Sequence, residues 1–502
     1  MMTQPPQQEQ AEKTSTFDSG YTNRLMMFYP ALSFLIFYIE LMLLSSLPSI
    51  ASEFHVSVAQ VSLVVGLYAV SGTALAPLVG KLGDIFGKKR ILVYVLVIYA
   101  AAISVTGFSP NFAFMVVART VQGVGLAIQP LLISLVREQF PKDKIPRAQG
   151  IISGMNGVGL AVALPLGSFV SNSFGWRATF HSAIPFVVLC AIIAYVAVKD
   201  SPYSRPNVRV DYVGASLLGS SLALIVFALA EGPTWGWTSA ATISLFLTGI
   251  VLLAPLLVYE RSYLKRGGEP ILNLKLLAIR NVMVSNLTFM VAYIGMVLAF
   301  YTYIFKFEYP SPAGYGLSIF KTGLSLVPLA ASILIFAPLT GLLVSKMGVK
   351  RMAVPGAIIA TVGFFLDTQA STYTQLLVFL FVVGMGLAMV IASTINLLVL
   401  TVDPQDIGLA SSMNTVFRNL GNAVGAPITG SILSTFTVSV LAGSKNGSPI
   451  YMSLPSNAAF HYAFYLAAVS FVAIALILIF ADEVLGKKAS GKLKYSQVSQ
   501  SS

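Results

Sequence analysis

The chain has 502 residues, of which 56% are hydrophobic and 10% are charged. So few charged residues cannot give a soluble fold of this size a polar surface, and a water-soluble protein is therefore excluded. The formal net charge is +12. The basic residues stand in alternate loops between apolar segments instead of forming one patch, which argues against a nucleic-acid-binding protein.

Apolar runs of roughly 20 residues, enough to cross the hydrocarbon core of a bilayer as a helix, recur along the chain. They predict an all-α integral membrane protein with fourteen transmembrane helices. The predicted helices cover residues 26–48, 58–79, 91–108, 112–136, 147–170, 178–198, 212–230, 240–259, 282–304, 319–344, 350–368, 374–400, 407–436 and 459–481. The polar segments 1–23 and 483–502 are predicted to be disordered cytoplasmic tails.

The chain contains an internal repeat. Three successive segments match at a nearly constant offset. Pro77, Gly80, Gly87 and Arg90 match Pro338, Gly341, Gly348 and Arg351; Gly123–Ala127 matches Gly384–Ala388; and Gly150, Ser153, Met155 and Asn156 match Gly408, Ser411, Met413 and Asn414. The repeat predicts two homologous six-helix bundles, at residues 24–200 and 266–482, separated by an inserted helix pair at 201–265.

Lysine and arginine are distributed unevenly between the two sets of loops. Most stand in the set that includes both termini. The exceptions are Arg119 and Arg418 inside predicted helices, and Arg177, Lys306, Lys321 and Lys445 in the other set. Because basic loops stay on the cytoplasmic side, both termini are predicted to be cytoplasmic. We expect a monomer in the cell membrane, in contact with anionic lipid.

Two charged residues are candidates for a conformational switch. Asp84 lies in the turn at 80–90, and Arg119 lies inside a predicted helix, where a guanidinium needs a carboxylate or a water-filled cavity. We therefore expect Asp84 and Arg119 to pair, either as a latch that closes the cytoplasmic side or as a static link. Gly80 and Gly87 allow close approach of two helix ends, and Arg90 is expected in the cytoplasmic interface.

These residues resemble the major facilitator superfamily, with Gly80–Arg90 similar to its loop signature between spans 2 and 3 and Arg119–Gly123 similar to its span 4 signature. Other segments resemble the fourteen-span drug:proton antiporter branch. They are Leu47–Ile50, Phe174–Arg177, Asp211–Gly214, Trp235–Thr238 and Glu269–Leu274. The resemblance implies two six-helix bundles related by pseudo-two-fold symmetry, with an inserted helix pair between them. It also implies proton-coupled drug export.

The fifth predicted helix departs from the family pattern. Antiporters of the family carry Gly-Pro and Gly-Gly pairs there, whereas this chain has Ala163–Ser168. Pro165 still frees a backbone carbonyl for a conformational role. Ordinary helix packing is the alternative.

Glu40 is the candidate proton-coupling residue, because it is the one carboxylate well inside a predicted helix of the first half. Burial favours the neutral form of a carboxyl group, so such a residue can exchange a proton with either side in turn. The resemblance would place an aspartate at Ile39 instead, which is a rotation of about 100° on the helix. A buried carboxyl group satisfied by its neighbours is the alternative.

Several polar side chains are unfavourable in lipid and are candidate substrate contacts. They are Gln122, Gln129, Asn156, Asn286, Tyr293, Asn396 and Asn414. Interhelical hydrogen bonding is the alternative for each. Asp367 is expected to be a solvated helix end, and Arg418 either reaches toward the interface or contacts substrate. No metal or cofactor is expected, because the histidines lack ligand spacing.

We therefore predict a secondary active transporter that exports lipophilic compounds, some of them cationic, in exchange for protons by alternating access. ATP is not expected to drive transport, because the sequence has no phosphate-binding loop. An importer working by symport or uniport and a non-transporting receptor are the alternatives. An enzyme is not expected, because clustered His, Asp and Glu residues are missing.

Overall fold

The computed structural model describes residues 19–141, 144–200, 210–403, 407–445 and 448–484. Within these ranges the chain is almost entirely helical, with one β-hairpin. The helices are α1 (Ser19–Leu41), α2 (Leu47–Phe54), α3 (Val58–Val61), α4 (Leu63–Phe86), α5 (Lys88–Gly107), α6 (Phe112–Gln122), α7 (Ile128–Gln139), α8 (Ile145–Phe174), α9 (Trp176–Ala197), α10 (Tyr212–Trp235), α11 (Ala240–Val251), α12 (Leu253–Lys265), α13 (Leu274–Leu277), α14 (Arg280–Glu308), α15 (Ile319–Ser325), α16 (Val327–Met347), α17 (Lys350–Gln369), α18 (Tyr373–Thr401), α19 (Ile407–Thr435) and α20 (Asn457–Ile479). Two 3₁₀ segments, Leu44–Ser46 and Gly123–Ala127, interrupt the first and fourth long helices.

Thirteen helical segments in the described ranges are long and apolar enough to cross a membrane. The prediction of an all-helical membrane protein is therefore confirmed. The predicted helix at 407–436 is present as α19, but it is not among these thirteen. Helix α1 begins at Ser19, inside the segment predicted as the first tail. Residues 1–18 and 485–502 of the predicted tails lie outside the described residues.

Glycines end the helices at the two turns that the repeat pairs. Gly87 follows α4 with φ of 96°, and Gly348 follows α16 with φ of 98°. Each amide donates a hydrogen bond to the carbonyl four residues earlier, Gly83 or Val344. A side chain is strained at such a φ, whereas glycine is not. The repeated glycines thus make the same turn in both halves of the sequence.

The turns between long helices fall into two sets. In one set the Arg177 side chain bonds the Ser109 carbonyl and the Glu53 carboxylate. In this set a β-hairpin of β1 (Thr437–Lys445) and β2 (Ser448–Pro455) follows α19. We call this set of turns the hairpin end. No strand is predicted there from the sequence.

The other set of turns contains both described ends of the chain, and we call it the terminal end. The Tyr21 hydroxyl donates to Gln139 Oε1 at 3.2 Å, and the Glu483 carboxylate accepts from the Lys350 amide at 3.2 Å. An ion pair between Lys81 and Glu269 joins the part of the terminal end that the first half of the sequence forms to the part that the second half forms. The described chain therefore starts and finishes on the same side of the helical array.

The two halves of the sequence contact each other closely at the hairpin end. Helix α19 packs on α3 and α4 there. A methyl group on Gly430 would lie 2.8 Å from Ala59 Cα, and one on Gly66 would lie 3.2 Å from the Ala423 carbonyl oxygen. Glycines at such contacts allow helix backbones to approach.

Helices α8 and α16 contact each other only part of the way along. A methyl group on Gly157 would touch Leu334 at 3.7 Å, whereas one on Gly150 or Gly154 would meet no described residue within 4 Å. Gly341, two turns beyond Leu334 on α16, is equally free of neighbours. Within the described residues, the contact between α8 and α16 therefore does not extend to the terminal end. We call this the open end, and we call the hairpin end, where α19 packs on α3 and α4, the closed end.

Candidate proton and substrate site

Glu40 lies midway along the first long helical segment, next to a break. Helix α1 ends at Leu41, and the 3₁₀ segment Leu44–Ser46 leads into α2. Mid-membrane 3₁₀ segments often mark functional positions, because the backbone there is easier to rearrange. Glu40 Oε2 is buried, and no residue in the described part of the chain hydrogen-bonds to it. The carboxyl group is thus available for a proton or a ligand.

Arg119 is the largest buried cation of the described chain and lies next to the second helix break. Its side chain is 1% exposed, and its Cζ atom lies 4.3 Å from the centroid of the Tyr68 ring. None of its guanidinium nitrogens has an acceptor among the described residues. A ring face compensates a buried guanidinium only partly, since a cation–π contact contributes roughly 0.5–2 kcal/mol.

Gly123 sets the position of Arg119. It starts the 3₁₀ segment, and a methyl group there would overlap the Ser71 hydroxyl and the Tyr68 carbonyl oxygen. The Ser71 hydroxyl also donates to the Thr120 carbonyl at 2.5 Å. The contact between α6 and α4 is therefore set by backbone approach, and it places the guanidinium over the Tyr68 ring.

Arg418 of α19 reaches across to the first half of the sequence. Its Cζ atom lies 5.8 Å from the centroid of the Phe37 ring of α1 and 5.9 Å from that of Tyr293 of α14. Its Nε donates to Asn419 Oδ1 at 3.3 Å. The half-buried side chain contacts aromatic rings at mid-depth, so it does not extend toward the membrane interface.

The two arginines act on one carboxyl group. The positive charges of Arg418 and Arg119 both interact with Glu40. The charges of Glu40 and Arg119 also act on the buried phenol groups of Tyr68 and Tyr99. We call this set, namely Glu40, Tyr68, Tyr99, Arg119, Gln122, Tyr293 and Arg418, the central cluster.

The structure does not pair Asp84 with Arg119, so a static link between them is wrong. Arg119 stacks on Tyr68, which lies about 24 Å from Asp84 along the same helical segment at 1.5 Å per residue. Asp84 Oδ1 instead lies 2.9 Å from Lys88 Nζ, and Lys88 also pairs with Glu138 of α7. These links join helices of the first half only.

The other residues of the predicted switch lie near the terminal end or in α8. A methyl group on Gly80 would meet none of the described residues within 4 Å, and Arg90 is exposed. Pro165 lies within α8, and its carbonyl accepts a hydrogen bond from the Ser168 hydroxyl at 2.9 Å. The structure does not bring these residues together with Arg119.

The predicted substrate contacts divide into three groups. Gln122 and Tyr293 belong to the central cluster, and neither amide atom of the buried Gln122 has a partner within the described ranges. Gln129 donates to the Ser33 hydroxyl at 2.7 Å, and Asn414 donates to Asn286 Oδ1 at 3.1 Å. Asn396 donates to the Ala392 carbonyl of its own helix at 2.8 Å. The side chain of Asn156 lies outside the described residues.

Sequence reasoning missed the aromatic part of the site and misplaced Asp367. Tyr68, Tyr99 and Phe180 surround Arg119 but look like ordinary apolar positions in the sequence. Asp367 is 2% exposed and accepts a hydrogen bond from the Tyr303 hydroxyl, so the expectation of a solvated helix end is wrong. Its partner lies on α14, and no local pattern indicates that contact.

The fold and the central cluster define a multi-pass helical membrane protein with charged groups at mid-depth. A family profile described as Major Facilitator Superfamily matches residues 31–426 and 315–497. The chain therefore belongs to the major facilitator superfamily, whose members carry small molecules across membranes and are not enzymes.

The curated relatives include drug-export proteins. The tetracenomycin C resistance and export protein of Streptomyces glaucescens is 25% identical over 393 residues, 77% of this chain and 71% of that protein. The multidrug resistance protein Stp of Mycobacterium tuberculosis is 26% identical over 415 residues, 81% and 75% of the two chains. The multidrug transporter protein MdtP of Bacillus subtilis is 24% identical over 396 residues, 78% and 71%.

Solved structures share the fold at low sequence identity. A bacterial homologue of the human lysosomal transporter Spinster superposes with a TM-score of 0.60 at 16% identity, over 92% of this chain and 96% of that one. The nucleoside transporter NupG gives 0.61 at 13% identity, over 91% and 99%.

Proposed function

We propose that the protein exports lipophilic compounds from the cell in exchange for protons, with Glu40 as the proton-carrying group. The observation that carries this proposal is the unpaired Glu40 carboxyl oxygen at mid-depth, under the charges of Arg119 and Arg418. An ionisable group in a membrane interior is costly and is usually functional. The drug-export relatives support the direction of transport.

Protonation of Glu40 changes the attraction between the two halves of the sequence. Ionised Glu40 on α1 attracts Arg418 on α19, and a protonated carboxyl group does not. A proton therefore alters the relative energies of the open and closed arrangements, as alternating access requires. The separation of α8 and α16 at the terminal end gives a path for substrate from that side.

We propose fourteen crossings, with both termini in the cytoplasm of a cell-membrane protein. The described chain starts and finishes at the terminal end, which requires an even number of crossings. The thirteen apolar segments and α19 together satisfy this condition. Polar residues such as Asn414 and Arg418 lower the hydropathy of α19, and both of these side chains contact other helices. A layout of two six-helix bundles fits the repeat. The inserted pair between them consists of α10 and of the single crossing formed by α11 and α12.

The test is substrate-linked proton flux in everted vesicles. Addition of a transported compound to energised vesicles that contain the protein should move protons out of the vesicle lumen, and vesicles with Glu40→Gln should show no such flux. A panel of aromatic compounds that leaves the internal pH unchanged while the protein is correctly inserted would contradict proton-coupled export.

Proton-linked uptake of an anionic metabolite is a second candidate, favoured by the charge of the central cluster. The positive charges of two guanidinium groups act on one carboxyl group, so an anion would be better accommodated than a cation. An anion that occupies Arg418 would favour the protonated form of Glu40, so anion and proton would travel together. Binding to the purified protein in weak buffer separates the two candidates, because symport requires proton uptake on binding and exchange requires proton release.

A further inference from the structure

The inserted segment carries buried acidic groups at the terminal end. Asp211 caps α10 by accepting a hydrogen bond from the Gly214 amide at 2.8 Å, and its side chain is 1% exposed. Glu260 of α12 is fully buried, and the backbone amides of Ile271 and Leu272 act on its carboxylate. Two amide donors stabilise a buried carboxylate only in part, and a nearby cation stabilises it further.

Lys81 of α4 supplies a cation for these acidic groups. Its Nζ lies 3.3 Å from Glu269 Oε2 and also donates to the Glu269 carbonyl oxygen. The charges of Asp211 and Glu260 act on the same ammonium group. The Lys81 side chain is 15% exposed, so water screens these interactions only in part.

This arrangement joins three parts of the chain. Lys81 belongs to the first half, Asp211 and Glu260 belong to the inserted segment, and Glu269 lies in the stretch that leads into α14 of the second half. Because Glu269 is continuous with the second half, any rotation of one half against the other moves Lys81 and Glu269 relative to each other. An ion pair formed in one arrangement therefore stabilises that arrangement.

The inserted segment is also bonded to both halves at the hairpin end. Gln60 Nε2 donates to Glu231 at 3.2 Å, and the Ser431 hydroxyl of α19 donates to the Leu229 carbonyl. Helix α10 packs on both α4 and α19. The inserted pair thus lies along the contact between the two halves of the sequence. It forms hydrogen bonds at the closed end, and the Lys81 ion pair lies at the open end.

We propose that Lys81 and the acidic groups Asp211, Glu260 and Glu269 form a tether that stabilises the arrangement open at the terminal end. The inserted helix pair thereby sets the balance between the two access states. Lys81 is a positioning residue and contacts neither proton site nor substrate site. The tether rests on the alternating access of the proposed function, and it does not depend on proton coupling or on the substrate.

The experiment measures access to the open end. A Cys190→Ser background with Gly154→Cys is treated with a membrane-impermeant maleimide in everted vesicles. Addition of Lys81→Ala should lower the labelling rate about threefold, since an ion pair with one exposed partner contributes a modest preference. Lys81→Arg keeps the charge and should restore the rate. Lys89→Ala, which removes a charge of the same turn that contacts the Tyr195 ring, is the matched control and should label at the parent rate.

A double-mutant comparison separates a tether from a general loss of stability. Glu269→Gln changes an exposed side chain and, as a single substitution, should lower the labelling rate. The double variant with Lys81→Ala and Glu269→Gln should label no more slowly than Lys81→Ala. Unchanged labelling in folded Lys81→Ala and Glu269→Gln, or additive effects of the two, would overturn the tether. The labelling rate requires no transported compound and no proton gradient, so failure of proton-coupled export would leave this result interpretable.

Discussion

The proposed chemistry of this transporter rests on single residues at mid-depth. Glu40 and Arg119 each lie beside a 3₁₀ segment, and both have buried polar atoms without hydrogen-bond partners in the described chain. A folded protein tolerates such costs where a ligand or proton later satisfies them. The unsatisfied atoms are therefore better evidence of function than the sequence motif that contains Arg119.

Glu40→Gln should abolish the pH dependence of transport while leaving the protein folded. Glutamine has nearly the size of glutamate and cannot ionise, so the attraction to Arg418 no longer changes with pH. Transport rates at several pH values in proteoliposomes check this expectation. Glu53→Gln is the matched control, because Glu53 lies on the same helical segment but pairs with Arg177 at the hairpin end. A Glu40→Gln variant with the pH profile of the parent would remove Glu40 as the proton site.

Substitutions of Tyr68 should distinguish the contribution of its aromatic ring to transport from that of its hydroxyl group. Tyr68→Phe keeps the ring under Arg119 and removes a buried hydroxyl that has no hydrogen-bond partner among the described residues, so transport should change less than about threefold. Tyr68→Leu removes the ring face and should slow transport about tenfold, in line with a desolvated cation–π contact. Equal transport by Tyr68→Leu and Tyr68→Phe would show that the stacking is unimportant.

At the scale of helices, glycines decide where the elements touch. Gly123 brings α6 against α4, and Gly430 and Gly66 bring α19 against α3 and α4. Gly150 and Gly154 lie where α8 and α16 separate, and no described residue lies within 4 Å of a methyl group at either position. The same residue type therefore marks both close helix contacts and a surface that another helix can approach.

Gly123→Val should destabilise the protein by about 1–3 kcal/mol, because its side chain would overlap the Ser71 hydroxyl and the Tyr68 carbonyl oxygen. Thermal unfolding of the purified protein in detergent measures the change. Gly150→Ala is the control, since a methyl group there meets nothing within 4 Å in the described part of the chain, and it should unfold at the parent temperature or slightly above it. Similar unfolding temperatures for both variants would contradict the close approach of α6 and α4.

The order of the helices along the chain could be predicted from the sequence, whereas the pairs of helices that pack together could not. Apolar runs and the repeated turn at Gly87 and Gly348 predicted the helices and one shared turn geometry. The hairpin of β1 and β2 was missed, although Asn446-Gly447 between its strands is a strong turn signal. The Asp84–Arg119 pairing failed because a motif gives sequence position and not depth in the membrane.

For the whole molecule, the proposed topology places the terminal end in the cytoplasm. In a Cys190→Ser background, Thr238→Cys at the hairpin end should react with an impermeant maleimide in intact cells. Arg266→Cys at the terminal end should react only after permeabilisation. Both side chains are exposed, so reactivity reports location. The opposite pattern would reverse the direction of the proposed transport, and labelling of both in intact cells would contradict an even number of crossings.

The whole-molecule account depends on opening of the hairpin end during each cycle. Ser62→Cys with Gly430→Cys in a Cys190→Ser background tests it, since the Cβ atoms would lie 3.2 Å apart, near the separation of about 3.8 Å found in disulfides. We expect oxidation to stop transport and a reductant to restore it, with each single cysteine variant unaffected. Transport at the parent rate with the cross-link fully formed would contradict alternating access through this interface.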